Sequence, residues 1–343
     1  MQEELQKNIL EIFDQKYGIP YSKVVQLRGT FFLMLQPEKQ AIPGKSNRVL
    51  AQKIEIGTDK LLYVDEYKKY LCQQGFTNID SYLPDKDNNI FFEVNEDTWV
   101  FSSLPVQPES NFDNKEQIAQ ICETIGRIHL ASEGFVAKNE LSRARDELGK
   151  MPECMQKRLD ELKRLRKKAE KGRGLFDLTF LPKAGHFIEL GTEAVKIMNG
   201  QEYIRLVDKA RKDGSVCHCD LSYQNILADG KDVYVVNFES CAKEIKIYDL
   251  ANLIRRKMRK CDWNIGEAQF MLENYNKQNS LSKDDLIVLR AILMFPQKFW
   301  RIANKYYNMK RGWAEKTMQI KLQEAIAEKD AHYSFLKEFE KIL

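Results

Sequence analysis

The stretch Val216–Cys241, VCHCDLSYQNILADGKDVYVVNFESC, decides the fold of this chain. A short apolar lead-in precedes a polar loop, and the loop carries His218, Asp220 and Asn225. An Asp-Gly turn follows, and the β-branched and aromatic run from 233 to 238 predicts a strand. The whole stretch therefore predicts a hairpin whose loop presents a carboxylate and, further along, an amide.

The spacing His-x-Asp-x-x-x-x-Asn has a chemical meaning in such a loop. Transfer of a phosphoryl group requires divalent cations that bridge the phosphates and one carboxylate that accepts the proton of the attacking hydroxyl. Asp220 has the position of that carboxylate, His218 precedes it by two residues, and Asn225 has the position of a metal ligand. We predict Asp220 and His218 as catalytic residues. The alternative interpretation is an Asx-rich turn with a structural histidine.

The end of the predicted strand departs from this pattern. An acidic residue usually holds the phosphate-bridging cation there, and this chain has Asn237. An amide offers an oxygen without a charge, and Mg²⁺ favours carboxylates, so we expect weak metal binding at Asn225 and Asn237. Glu239 offers a carboxylate on the same face of an extended strand, but it is displaced by about 6.6 Å.

The residues that would anchor a nucleotide are few. A strand lysine paired with a helix carboxylate steadies the phosphates in such enzymes. The candidates for this cofactor-binding pair are Lys53, on a strand predicted at 48–56, and Glu66, on a helix predicted at 60–74. The first strand region contains Gly29 alone, and the sequence has no GxxxxGK[ST] motif. The expected cofactors are therefore ATP and Mg²⁺, both weakly bound.

Secondary-structure patterns divide the chain into two parts. Short strand candidates dominate residues 1–101, and helical periodicity dominates residues 102–343. Strands followed by helices indicate an α+β fold rather than a doubly wound sheet. Helices are predicted after an Asp113/Glu116 capping box and over about 189–211, 245–260, 265–277, 282–308 and 314–341.

Composition excludes several classes of protein. The 343 residues are 43% hydrophobic and 30% charged, which is typical of a folded globular chain. A net charge of +4 is low for a nucleic-acid-binding protein, and no apolar stretch is long enough to span a bilayer. The seven cysteines include no CxxC pair, which argues against a zinc site. We therefore predict no nucleic-acid partner and no membrane span.

Two segments of the sequence each allow two interpretations. Residues 157–173 contain nine basic and three acidic residues, which favours a solvated helical face or a docking surface for an acidic partner. Phe299, Ile302 and Tyr306 recur at helical spacing. Their face either packs into the core or forms an exposed aromatic patch for a partner.

These motifs resemble those of known families. Residues 216–241 resemble the catalytic segment of the aminoglycoside phosphotransferase and choline kinase superfamily. The C-terminal third is similar to the S-type spore coat proteins (the CotS family) of endospore-forming Firmicutes. The Phe-Pro-x-Lys-Phe-Trp part of this similarity discriminates well, because it is not a general kinase feature. The similar runs are Tyr248-Asp249-Leu250, Ile254-Arg255-Arg256 and MFPQKFWRIANKYYN at 294–308.

The resemblance implies a bilobal, protein-kinase-like (aminoglycoside phosphotransferase-like) fold. Residues 1–101 would form a small strand-rich N-terminal lobe, and residues 102–343 a large helical C-terminal lobe. By residue match, Asp220 is the catalytic base, Asn225 and Asn237 hold the two metal positions, and Asp249 buttresses the catalytic loop through backbone hydrogen bonds.

The resemblance also implies a place in the cell. Such a protein is made in the mother-cell cytoplasm and assembled into the spore coat with other coat proteins. Two functional hypotheses follow. The first is a pseudokinase with a mainly structural or interaction role in coat assembly. The second is an active ATP-dependent phosphotransferase that acts on a small hydroxylated molecule or a coat component.

Overall fold

The computed structural model describes residues 2–27, 30–35, 48–103, 105, 107–230, 232–308 and 315–343. The chain divides into two compact units, Met1–Arg145 with Asp220–Cys241, and Asp146–Cys219 with Ala242–Leu343. The segment from Asp220 onward thus belongs to the first unit, although it comes late in the sequence. The lobe boundary at 101/102 stays a prediction. The turn predicted at Arg28-Gly29 and the loop at 37–47 lie outside the described residues.

The first unit is built on an antiparallel sheet. The order of its described strands is β1-β2-β3-β6-β4, and β5 pairs antiparallel with the first residues of β6. The pairing of β3 with β6 places Leu50 opposite Ser102 and Gln52 opposite Val100. The strands are β1 (Tyr21–Leu27), β2 (Thr30–Leu35), β3 (Arg48–Lys53), β4 (Ser81–Tyr82), β5 (Phe92–Val94) and β6 (Asp97–Ser103).

Helix α1 (Gln2–Lys16) covers one face of this sheet. Ile9 and Phe13 lie four residues apart, on the same side of the helix. Both are fully buried in a cluster with Val49 and Ala51 of β3. The sequence patterns did not predict this helix.

Two further helices complete the first unit. Helix α2 (Thr58–Gln73) matches the helix predicted at 60–74. Helix α3 (Lys115–Ala131) begins at Asn114, whose side chain accepts hydrogen bonds from the backbone N–H groups of the first turn. The predicted Asp113/Glu116 capping box is therefore wrong by one residue, because Asn114 is the residue that caps the helix.

The segment 216–241 forms two short strand pairings rather than one hairpin. In the second unit, β7 (Val216–Cys217) pairs with β10 (Ala242–Lys243). In the first unit, β8 (Ile226–Ala228) and β9 (Val233–Val235) form a hairpin. The prediction of a single hairpin is therefore correct only for the second half of the segment. The loop that carries His218, Asp220 and Asn225 connects β7 to β8.

The second unit is mostly helical, and three predicted helices are interrupted in it. The helix predicted at 282–308 is divided at Pro296, which has no backbone N–H to donate. The helix predicted at 189–211 is divided at Asn199-Gly200, and the one predicted at 314–341 at Glu328. The helices are α4 (Met151–Ala169), α5 (Leu175–Met198), α6 (Gln201–Asp213), α7 (Ile247–Met258), α8 (Ile265–Asn276), α9 (Lys283–Met294), α10 (Gln297–Asn308), α11 (Glu315–Ala327) and α12 (Lys329–Glu340).

The core of the second unit contains the aromatic face of α10. Phe299 and Ile302 are buried in one cluster with Phe176 and Phe180 of α5. The ring of Tyr306 stacks on that of Phe176, with the centroids 3.7 Å apart. This face therefore packs into the core, and the interpretation as an exposed aromatic patch is wrong.

Helix α4 contains most of the basic residues of the segment 157–173, and its leucines and its arginines differ in burial. Leu159, Leu162 and Leu165 are buried, whereas Arg164 and Arg166 are exposed. This pattern is that of a solvated helical face, and a docking role for it stays a prediction. In the ranges that the structure describes, no helix combines the length and the apolar character needed to cross a membrane.

Candidate functional site

Asp249 holds the beginning of the candidate catalytic loop within the second unit. It lies in the first turn of α7 and is 1% exposed. Its Oδ2 atom accepts a hydrogen bond from the backbone N–H of His218 at 2.7 Å, and its Oδ1 atom accepts one from Cys219 at 2.8 Å. Hydrogen bonds to an ionised acceptor are about twice as strong as neutral ones. The geometry therefore matches the buttressing role that the resemblance implies for Asp249.

Replacing Asp249 with alanine removes the acceptor of two neighbouring backbone N–H groups. A buried donor without a partner costs about 1–3 kcal/mol, so we expect Asp249→Ala to lower the free energy of unfolding by about 2 kcal/mol. The measurement is the urea midpoint of the purified chain. Asp208→Ala is the control, because Asp208 of α6 is 68% exposed and its pair with Arg211 should contribute little to stability. Equal midpoints for wild type and Asp249→Ala would contradict the buttressing role.

Three polar side chains of the first unit form a continuous chain of hydrogen bonds. The side-chain NH₂ of Asn225 donates to Asp220 Oδ2 and to the Asp220 backbone oxygen, each at 2.9 Å. The side-chain NH₂ of Asn237 donates to Asn225 Oδ1 at 2.8 Å. The structure thus brings together Asp220, Asn225 and Asn237. His218 is buried at the beginning of the same loop, in the second unit.

The β8–β9 hairpin explains why the two asparagines meet. Asn225 immediately precedes β8, and its backbone oxygen accepts a hydrogen bond from Val236, just after β9, at 3.0 Å. Asn237 then turns the chain into the short 3₁₀ helix Phe238–Ser240 with a φ of +63°. Asparagine adopts this left-handed conformation more readily than most residues. The turn directs the Asn237 side chain toward Asn225.

This donor set does not fit a Mg²⁺ ion held by the two asparagines. Mg²⁺ takes oxygen ligands in octahedral geometry and favours carboxylates. The Asn225 oxygen already accepts a hydrogen bond from the Asn237 NH₂ group, and neither side chain carries a charge. The Asn237 amide therefore supplies the partial positive charge next to Asn225 that a cation would supply.

The predicted cofactor pair is not brought together. Lys53 is exposed and pairs with Asp97 at 2.9 Å, a hydrogen bond that raises its pKa. Glu66 of α2 accepts hydrogen bonds from the backbone N–H of Lys138 at 2.6 Å and from the hydroxyl of Ser142. Glu66 thus anchors the loop after α3, and the structure does not pair it with Lys53; a role of the two residues in cofactor binding stays a prediction.

The orientation of β3 explains why Lys53 does not take that role. Successive side chains of a strand point to opposite faces of the sheet. Lys53 shares its face with Ala51, on the side that packs against α1. The register places Gln52 and Leu50 on the other face, in line with Ser102, which pairs with Tyr82 of β4. On this strand, Gln52 rather than Lys53 therefore lies on the face away from α1.

A buried ammonium that we did not predict lies on that other side of the sheet. Lys68 of α2 pairs with Asp80 at 2.6 Å, and the two side chains are only 3% and 5% exposed. The Lys68 ammonium also lies 3.8 Å from the centre of the Tyr82 ring, a cation–π contact. The Tyr82 hydroxyl donates to Glu239 Oε1 at 3.2 Å. The carboxylate of Glu239 is therefore directed to the sheet.

The sequence contained a signal for this pair. Lys68 follows Leu61 and Val64 and precedes Leu71 on one helical face, and all four residues are buried. A lysine on an apolar face is rarely buried without an acidic partner. The identity of that partner, Asp80, has no local signal because it comes after the end of the helix.

A family model described as "Spore coat putative kinase YutH" matches residues 14–339. The chain belongs to this spore coat family. It is also similar to spore coat protein S of Bacillus subtilis (strain 168), with 23% identity over 290 residues, which are 84% of this chain and 82% of that protein. The resemblance drawn from residues 216–308 is therefore confirmed.

Solved structures confirm the fold. An aminoglycoside phosphotransferase from Alicyclobacillus acidocaldarius subsp. acidocaldarius DSM 446 superimposes with a TM-score of 0.82 at 19% identity, covering 95% of this chain and 94% of that one. The amicoumacin kinase hAmiN, in complex with AMP-PNP, Ca²⁺ and Ami, gives 0.58 at 12% identity, covering 96% of each chain. The predicted α+β, kinase-like fold of the aminoglycoside phosphotransferase type is correct.

Proposed function

We propose that this chain is a pseudokinase of the spore coat, with a mainly structural or interaction role in coat assembly. It is made in the mother-cell cytoplasm, and its partners are other coat proteins. It binds ATP weakly and without dependence on Mg²⁺. Membership of a spore coat family with a kinase-like fold supports the location and the fold-level part of this proposal.

The observation that carries the proposal is the hydrogen bond from Asn237 to Asn225. In a phosphotransferase these two positions hold the cations that neutralise the transferring phosphate. Here their side chains satisfy each other and carry no charge. The position of Gln52, rather than Lys53, on the sheet face away from α1 supports the same conclusion, because an amide cannot neutralise a phosphate charge.

A second candidate function is an active ATP-dependent phosphotransferase. The bond between Asn225 and Asp220 favours it, because that bond fixes one carboxylate oxygen and orients the other. A carboxylate so placed can accept the proton of an acceptor hydroxyl on a small molecule or a coat component. The Asp249 buttress would serve this function equally well.

Nucleotide binding separates the two candidates. A ligand at 100 times its Kd raises the free energy of unfolding by about 2.7 kcal/mol. For the pseudokinase we expect millimolar ATP to raise Tm by less than about 1 °C, equally with Mg²⁺ and with EDTA. A rise of several degrees that requires Mg²⁺, or ATP turnover that Asp220→Asn abolishes, would overturn the proposal in favour of the active enzyme.

A further inference from the structure

The two runs that most clearly carry the spore coat resemblance meet at one cavity inside the second unit. It has a volume of about 40 Å³. One wall is the C-terminal end of α7, with Arg255 and Arg259, and another is the segment from Phe295 to Phe299. About 10–15 Å³ of such space accommodates one water molecule, so the cavity has room for about three waters or one small oxyanion.

The charges that line this cavity are unbalanced. Its cations are Arg255, Arg259 and Lys298, and its carboxylate is Glu328. Burial lowers the pKa of His332 to about 4, so this histidine is neutral at pH 7. Three cations and one carboxylate leave a net charge of +2 around the cavity.

The carboxylate is already engaged. Glu328 Oε1 binds the ammonium of Lys298 at 2.5 Å, and Glu328 Oε2 accepts a hydrogen bond from the Trp263 indole at 3.4 Å. Lys298 and Glu328 are 26% and 24% exposed, so they mark the side of the cavity that meets solvent. In the described part of the chain neither arginine forms an ion pair within 4 Å, although the charge of Glu328 partly offsets the lowering of the Arg259 pKa by burial.

Each arginine retains unused donor capacity. Arg255 donates to the backbone oxygen of Ile292 and to Asn252 Oδ1, at 3.2 Å in the second case, and both acceptors are neutral. The Nε atom of Arg259 is buried and has no hydrogen-bond partner in the described residues. Burial and repulsion from Arg259 lower the pKa of Arg255 to about 10. Both arginines are half-buried, and charges withdrawn from solvent are normally paired, so this arrangement favours an anion in the cavity.

We propose that this cavity is a binding site for a small oxyanion of the phosphate class, held by Arg255 and Arg259. Guanidinium groups match phosphate oxygens through two parallel N–H donors. The site lies wholly within the second unit and does not depend on the function proposed above. The anion is either free phosphate or a phosphomonoester group of a larger ligand.

The test is a calorimetric titration of the full chain with inorganic phosphate at constant ionic strength. We expect saturable binding with one site per chain, weakened at least tenfold by Arg259→Gln. Arg259→Lys, which keeps the charge but loses Nε, should weaken it by less. The matched control is Arg166→Gln, which removes one exposed arginine from α4 and should leave the affinity unchanged. Asp220→Asn should also leave it unchanged, which separates this site from the candidate catalytic loop.

A parallel titration with phosphoserine identifies the source of the anion. Equal affinity for phosphoserine and inorganic phosphate supports a site for a phosphomonoester group, and binding of inorganic phosphate alone supports a site for the free ion. Phosphate affinity that is unchanged in Arg259→Gln overturns the proposal. So does a response that chloride reproduces at the same ionic strength, because it would be a general salt effect.

Discussion

Lys68→Met is expected to destabilise the chain by about 3–5 kcal/mol, the typical cost of removing one partner of a buried ion pair. The substitution keeps most of the apolar stem but leaves Asp80 as a buried carboxylate without its cation. Other contacts of Asp80 would not compensate for the lost ammonium, because its Oδ1 atom is already buried without a hydrogen-bond partner in the described residues. The measurement is the free energy of unfolding from urea denaturation.

An exposed lysine of the same helical spacing provides a matched control. Lys157 pairs with Glu153 one helical turn away at 2.7 Å, and the two side chains are 74% and 69% exposed. An exposed pair of this kind contributes about 0.3–0.5 kcal/mol, so Lys157→Met should change stability little. The double substitution Lys68→Met, Asp80→Leu removes both charges and should recover most of the loss. If Lys68→Met costs no more than Lys157→Met, the Lys68–Asp80 ion pair does not stabilise the chain.

The strand that carries Lys53 shows where sequence patterns stop being informative. The alternation along β3 correctly groups Lys53 with Val49 and Ala51, and Gln52 with Leu50. It does not tell which of the two faces α1 will cover, because that depends on packing between distant segments. Lys53 is predicted as the phosphate-binding lysine from its place on a strand ahead of the helix that carries Glu66, and it lies on the face that α1 covers.

The catalytic segment was predictable where its interactions are local. The Asp-Gly turn places β8 against β9, and this part of the hairpin is correct. The pairing of β7 with β10 joins strands of two residues each, which are too short for a hydrophobic pattern. Pro296 carried a signal that we did not use, because a proline inside a helical pattern usually ends the helix.

The bond between Asn225 and Asn237 could not be predicted from composition or spacing. It depends on the left-handed turn at Asn237 and on which way each amide group points. The spacing identified Asn225 and Asn237 as the two candidate metal positions and showed that residue 237 lacks the expected negative charge. It did not reveal that the Asn237 amide donates to the Asn225 oxygen, which is the contact on which the pseudokinase proposal rests.

Restoring the carboxylate with Asn237→Asp should open that site. The change is nearly isosteric, but aspartate has no NH₂ group to donate to Asn225 Oδ1. Two oxygens would then face each other, and we expect the metal-free variant to lose about 1–2 kcal/mol of stability. A cation between the oxygens removes this repulsion. Millimolar Mg²⁺ should therefore raise the Tm of Asn237→Asp and leave that of the wild type unchanged.

Nucleotide affinity should change in the same direction. The affinity of hard cations follows the charge of their ligands, so one added carboxylate should strengthen Mg²⁺-dependent ATP binding on the order of 100-fold, about 2.7 kcal/mol. Asn237→Ala is the control: it loses the same hydrogen bond without gaining a charge, so Mg²⁺ should not rescue its stability. If Asn237→Asp and Asn237→Ala respond to Mg²⁺ alike, the cation does not bind at Asn225 and residue 237. If the wild type already shows the Mg²⁺ response expected of Asn237→Asp, the amide at 237 does not disable the site, and the pseudokinase proposal is wrong.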